Sequence, residues 1–73
     1  MKNYNTLLAK VSLLKKGTIF QISEVDEQWW NGIPKGERLN LGRTFKSNVK
    51  KGKVIGVRYC SKTTDNHNWY EKI

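Results

Sequence analysis

Seventy-three residues suffice for one small domain with one thin core, because a chain of this length buries only about 60% of its unfolded surface. Fourteen Lys and Arg against six Asp and Glu give a net charge of +8, so a polyanion is the first class of partner to consider. One cysteine, Cys60, and one histidine, His67, exclude an internal disulfide and fall short of a zinc site. No apolar run is long enough for a signal peptide or a membrane span, so we expect a cytoplasmic protein. We also expect it to bind no metal or cofactor.

The first part of the chain predicts a helix, a short strand and a second helix. Asn5 is suited to cap a helix over residues 6–16, in which apolar residues recur at the spacing of one face, and Gly17 is placed to end it. Residues 18–22 are β-branched and aromatic, which is typical of a strand. Ser23 and the acid three residues later have the spacing of a capping box and predict the start of the second helix.

The second part of the chain predicts a third helix and a hairpin. A turn at residues 33–36 leads into a helix from Glu37 to Lys50 or Lys51. Residues 53–61 alternate as a strand, and residues 68–73 form the returning strand after a turn. The order of helix, short strand, helix, helix and hairpin predicts one α+β domain over residues 1–73, a winged helix-turn-helix whose hairpin is the wing.

The third helix separates apolar from polar side chains. At 100° per residue, Leu41, Phe45 and Val49 fall on one side, and the opposite side carries donor groups without a carboxylate. From Lys35 to Lys53 there are seven basic residues and one acidic residue. Cations displace counterions from phosphates, and short polar side chains contact phosphates or base edges. On and just after this helix, the predicted nucleic-acid-binding residues are Asn40, Arg43, Thr44, Lys46, Ser47, Lys50, Lys51 and Lys53.

The predicted hairpin continues this basic surface. Arg58 and Lys62 lie on its strands, and Asn66 and His67 lie near its tip. A net charge of this size also serves solubility alone. The cations concentrate on the two elements that would touch DNA together, which favours phosphate binding over a merely solvated face.

Two pairs of adjacent aromatic residues contain one candidate each for base stacking. Trp29 and Trp30 diverge by about 100° on a helix, and Trp69 and Tyr70 face opposite sides of a strand. One member of each pair should therefore be more exposed than the other, although most aromatic residues in small domains belong to the core. An indole beside a cationic groove stacks an unpaired base, worth roughly 1–3 kcal/mol. This is the feature that favours single-stranded DNA.

Several short motifs resemble one family of small domains. The matching stretches are Lys16-Gly17-x-Ile19-Phe20, Trp30-Asn31-x-Ile33-Pro34-x-Gly36-x-Arg38, Leu41-Gly42-Arg43-x-Phe45 and a late Tyr70. The chain resembles a domain-of-unknown-function family of Gram-positive bacteria, their phages and mobile elements, for which no catalytic motif is known. The resemblance implies a role in the replication, transfer or regulation of mobile DNA.

The resemblance also implies roles for individual residues. It places Trp30 in the core and leaves Trp29 as the exposed partner, and by the same argument Tyr70 faces inward and Trp69 outward. By its angle around the axis, Arg38 falls on the inner side of the third helix. A structural role, in which its stem packs and its guanidinium pairs with an acid, is as consistent with this position as contact with DNA is.

Three functions are compatible with the sequence. The first is a DNA-binding accessory protein of a mobile element, a monomer or weak dimer that contacts mainly the backbone, favours single strands and works beside replication proteins of the same element. The second is a dimeric, duplex-specific regulator of transcription or transfer. The third is an adaptor or inhibitor whose basic face meets an acidic protein. We expect no enzymatic activity, since no phosphate-cradling loop or nucleophile with a base is evident.

Overall fold

The computed structural model describes residues 2–62 and 68–73, and for residues 61 and 62 the backbone only. Its elements are α1 (Lys2–Ser12), β1 (Ile19–Phe20), a 3-10 turn (Ile22–Glu24), α2 (Glu27–Asn31), α3 (Lys35–Lys50), β2 (Val57–Lys62) and β3 (Asn68–Lys72). The described part of the chain thus has three α-helices and one antiparallel sheet, which confirms the α+β class.

The last strand, β3, lies in the middle of the sheet, whose order is β1-β3-β2. Tyr70 pairs with Phe20 on one side and with Tyr59 on the other. Because side chains alternate along a strand, these three aromatic residues share the inner face of the sheet. The neighbouring residues of β3 therefore lie on its outer face.

Tyr70 is at the centre of the core. Its ring lies 4.9 Å from that of Phe45 in an edge-on arrangement, 5.8 Å from Phe20 and 5.6 Å from Tyr59. Tyr70 is 1% exposed, and burial, with a smaller effect of Tyr59, raises the pKa of its hydroxyl to about 12. Leu7 of α1 completes this cluster. The prediction that Tyr70 faces inward is confirmed.

The bounds predicted for the first helix are wrong at both ends. Asn5 lies inside α1 and not at its cap. Bonds from the amides of Leu13 and Leu14 to carbonyls three residues earlier tighten the chain after Ser12, as at many helix ends. Gly17, with a φ of 93°, lies in the turn that follows and donates its amide to Lys72 O at 2.6 Å. This hydrogen bond joins the turn after α1 to the end of β3.

The predicted second helix is divided in two. Ser23 belongs to the 3-10 turn, and Asp26 is the N-cap of α2, its Oδ1 accepting from the Trp29 amide at 3.2 Å. Lys10 Nζ lies 2.8 Å from the other oxygen of Asp26. The hydrogen bond from Lys10 and then that from the Trp29 amide hold the pKa of Asp26 below its ordinary value. The N-cap was therefore predicted three residues too early. Ser23 and Asp26 both suit an N-cap, and the sequence alone did not distinguish between them.

The strand predicted from Lys53 begins only at Val57. Gly56 has a φ of 82°, a left-handed conformation that breaks the alternation of faces. Ile55, predicted to share a face with Val57, is consequently 96% exposed, whereas Val57 is buried. No helix in residues 2–62 and 68–73 is long and apolar enough to cross a membrane.

Candidate nucleic-acid interface

Helix α3 is anchored through one side and leaves the other to solvent. Leu41, Phe45 and Val49 are buried, as predicted. Asn3 Nδ2 donates to Glu37 Oε1 at 2.7 Å. Glu37 is the only acid of α3, and within the described ranges its carboxylate accepts from α1 and forms no ion pair with the cations of the helix.

The predicted binding residues of α3 mostly face solvent. Those exposed are Asn40, Arg43, Ser47, Lys50, Lys51 and Lys53, while Thr44 and Lys46 are half-buried. Within the described ranges the ion pairs are Lys10 with Asp26 and Arg58 with Glu71. None of the α3 cations therefore has a carboxylate partner there, and a set of unpaired cations favours an anionic ligand.

Two of these lysines meet at an aromatic ring. Lys46 Nζ and Lys50 Nζ, one helical turn apart, lie 5.6 and 4.9 Å from the centroid of Tyr59, within reach of the ring's electrostatic attraction. The Tyr59 hydroxyl donates to Asn68 Oδ1 at 3.0 Å, and its ring packs on Tyr70. We call Lys46, Lys50 and Tyr59 the lysine-tyrosine cluster.

The sequence prediction missed Tyr59. Its position two residues after Val57 in β2 placed it on the inner face of the sheet, and the spacing of the lysines placed them on one side of α3. Only the packing of α3 against β2 shows that the inner face of the sheet and this side of α3 meet at Tyr59.

The structure does not bring Arg58 and Trp69 to the surface of α3. Tyr59 and Tyr70 face the helices, so their neighbours Arg58 and Trp69 lie on the outer face of the sheet. The Arg58 guanidinium binds Glu71, with its Nε 2.6 Å from Oε1. The prediction of one continuous surface joining α3 to these two residues is therefore wrong, because alternation along the strands sends them to the opposite side.

The two tryptophans of α2 also differ from expectation. Trp29, predicted to be the exposed one, is half-buried and packs against the core cluster, with Lys10 Nζ 5.5 Å from its ring centroid. Trp30, predicted to be core, is half-buried and outside that cluster. Lys10 therefore contacts both Trp29 and Asp26, the N-cap of α2, and links α1 to this helix.

Trp30 lines a groove at the start of α3. The groove measures about 270 Å³ and is also lined by Lys35, Arg38 and Leu39. Arg38 Nε is buried without a hydrogen-bond partner. Two roles were left open for Arg38, and the pairing with an acid is not found among the described residues, where Arg38 forms no ion pair.

Three predicted residues of the hairpin cannot be placed against α3. Asn66 and His67 lie outside the described residues, as does the side chain of Lys62. Among the residues that are described, no group of three His, Cys, Asp or Glu is arranged to hold a metal ion.

Residues 5–72 match the family with the description "Domain of unknown function (DUF1413)". The chain belongs to the DUF1413 family. A solved structure similar to this DUF1413 chain carries the name "SCCmec type IV LP1413 - nucleic acids binding protein". The two are 22% identical and align over 99% of this chain and 90% of the other, with a TM-score of 0.78. This likeness establishes a shared fold. No curated protein matches the DUF1413 chain.

Proposed function

We propose that this DUF1413 protein is a non-catalytic DNA-binding accessory protein of a mobile genetic element, acting in the cytoplasm in replication or recombination. The observation that carries the proposal is the set of cations on and just after α3 that lack a carboxylate partner among the described residues. Of these cations, the ones we assign to the backbone site are Arg43, Lys46, Lys50, Lys51 and Lys53. Cations in this arrangement bind the phosphate backbone whatever the base sequence.

We assign the fold to the winged helix-turn-helix class. The turn at residues 32–34 joins α2 to α3, and the buried Ile33 fixes it to the domain. The element order and the antiparallel sheet β1-β3-β2 support this assignment, with α3 as the helix that contacts nucleic acid. The name of the similar structure refers to nucleic acids and to an SCCmec element, which supports the same partner and setting.

We favour single-stranded over duplex DNA. The half-buried ring of Tyr59 lies among the cations of α3, and aromatic rings beside cations are typical of proteins that hold single strands. A domain of this size also has little surface for the dimer that operator recognition usually requires. Binding as a monomer or weak dimer, beside replication proteins of the same element, is consistent with these features.

A pair of charge-reversal variants tests the proposal. Arg43→Glu combined with Lys50→Glu and, as the matched control, Lys15→Glu combined with Lys16→Glu each lower the net charge of +8 by the same amount. Lys15 and Lys16 are exposed in the loop after α1. We expect the α3 variant to lose most affinity for labelled single-stranded oligonucleotides and the control to lose little, both with wild-type circular dichroism. Equal losses, or no binding by the wild type near 50 mM salt, would contradict the proposal.

A duplex-specific regulator is the second candidate. Asn40 and Ser47 are exposed on the outer side of α3, and short polar side chains on such a helix are suited to reading base edges in a major groove. This function requires a dimer and a preferred sequence, so footprinting upstream of the protein's own gene, with sedimentation to measure its mass, separates it from the first candidate.

A further inference from the structure

The groove beside Trp30 lies on the same side of α3 as the lysine-tyrosine cluster. At 100° per residue, Lys35, Leu39, Lys46 and Lys50 fall within about 60° of one another around the helix axis. Leu39 and Lys46 are about 10 Å apart along that axis. The groove and the cluster are therefore two ends of one stripe along α3.

The chemistry of the groove suits a flat, uncharged ring. The half-buried indole of Trp30 and the side chain of Leu39, 55% exposed, supply apolar surface. A solvent-exposed leucine beside a tryptophan is apolar area that a ligand removes from water. An unstacked nucleobase has the π-face that packs on an indole.

The cations of the groove suit a ligand that carries phosphate. Lys35 and Arg38 have no ion-pair partner in the described part of the chain, and Arg38 Nε has no acceptor. Because Nε is fully buried, a ligand in the groove would contact only the exposed part of the guanidinium, and a phosphate oxygen there would supply its counterion. An apolar peptide side chain would fill the groove but leave both cations without a counterion.

We propose that the groove formed by Trp30, Lys35, Arg38 and Leu39 takes one unstacked base of a single-stranded DNA, with its phosphate on Lys35 and Arg38. The strand then follows the stripe along α3 to the lysine-tyrosine cluster. This proposal rests on the proposed function and adds a base-binding site to it. It assigns base stacking to Trp30, in place of Trp29 and Trp69.

Abasic DNA separates base binding from phosphate binding. A labelled 12-nucleotide thymidine oligonucleotide and an abasic strand with the same number of phosphates are titrated by fluorescence anisotropy. For the wild type we expect roughly tenfold tighter binding of the thymidine strand, as stacking of one base provides. Trp30→Leu should bind both strands with the affinity of the wild type for the abasic strand. Trp69→Leu, the matched control on the outer face of the sheet, should keep the difference.

A second pair of variants avoids any dependence on folding. Leu39→Glu places a carboxylate in the groove, and Leu13→Glu makes the same change at a residue that is 84% exposed beyond α1. We expect Leu39→Glu to weaken binding of the thymidine strand at least fivefold more than Leu13→Glu does.

The outcomes distinguish the two proposals. If the wild type binds neither strand, the proposed function fails. If it binds both strands equally, or if Trp30→Leu keeps the preference and Leu39→Glu behaves like Leu13→Glu, the groove proposal is overturned while backbone binding stands.

Discussion

The salt dependence of DNA binding should report how many of the five cations in the proposed backbone site, on and just after α3, contact phosphate. Arg43, Lys46, Lys50, Lys51 and Lys53 lack carboxylate partners within the described ranges. If each neutralises one phosphate of a single strand, the logarithm of affinity should fall against that of salt with a slope of roughly −3.5. Raising salt from about 50 to about 200 mM should then weaken binding on the order of 100-fold.

Neutral substitutions make this prediction specific to position. Lys50→Gln should reduce the slope by roughly 0.7, because one fewer counterion is released. Arg58→Gln removes the same charge but should leave the slope nearly unchanged, since Arg58 is engaged by Glu71 on the outer face of the sheet. Lys15→Gln, in the loop after α1, should also leave it unchanged.

Anisotropy titrations of a labelled single strand at five salt concentrations give these slopes directly. Circular dichroism melting of each variant checks that Lys50→Gln retains the fold, since Lys50 also contacts the ring of Tyr59. A slope near zero for the wild type would refute phosphate binding. An equal reduction in all three variants would show that the total charge matters and the position on α3 does not.

Three further predictions concern the stability of the fold. Phe45→Ala should lower the free energy of unfolding by about 3–5 kcal/mol, as measured by urea unfolding. This is a large part of the roughly 4–11 kcal/mol expected for a chain of this length. A decrease below about 1 kcal/mol would contradict the packing described for Phe45. Because burial raises the pKa of Tyr70 to about 12 from 10.0, the unfolded chain loses that proton first. The free energy of unfolding should therefore fall by about 2 kcal/mol between pH 10 and 12. Tyr70→Phe should remove this fall, and a fall that persists in the variant would disprove its origin. Asp26→Ala should lower the melting temperature by removing the cap of α2 and the partner of Lys10, and Asp26→Asn should lower it less. Since the fold lowers the pKa of Asp26 from 3.8, the difference in melting temperature between Asp26→Ala and the wild type should be largest above pH 3.8. It should shrink as pH falls further, toward the difference between Asp26→Ala and Asp26→Asn, and a difference that stays constant in acid would contradict this.

The third helix could be predicted because the spacing of its apolar residues is evident from its own sequence. Leu41, Phe45 and Val49 recur at helical spacing, and each is buried. The polar residues between them follow the same geometry, and Arg43 and Ser47 on the opposite side are exposed. Residues four apart on a helix share a side whatever else the protein does, so the exposed face of α3 needed no knowledge of the fold.

The bounds of the other elements depend on contacts far along the chain. Asp26 rather than Ser23 caps α2, and it is held by Lys10, sixteen residues earlier. Gly56 ends the predicted alternation before β2, and its carbonyl accepts from the amide of Ile73. Ser23 and Asp26 have similar local propensities for an N-cap. Propensity carries no information about partners as distant in the sequence as Lys10 and Ile73.

The sequence by itself determined the α+β class and the cationic outer side of α3, because periodicity and charge are properties of neighbouring residues. Strand alternation placed Trp69 and Tyr70 on opposite faces, and the family resemblance indicated that Tyr70 is the one that faces inward. Only the tertiary structure decided which aromatic residues stand beside those cations. Packing of α3 on the sheet brings Tyr59 to Lys46 and Lys50 and leaves Trp30 at the groove. The pairing of β2 with β3 also gives Arg58 its carboxylate partner, Glu71. Side chains from separate elements meet only when the core between them forms. No pattern within one element specifies the distance between its side chains and those of another element.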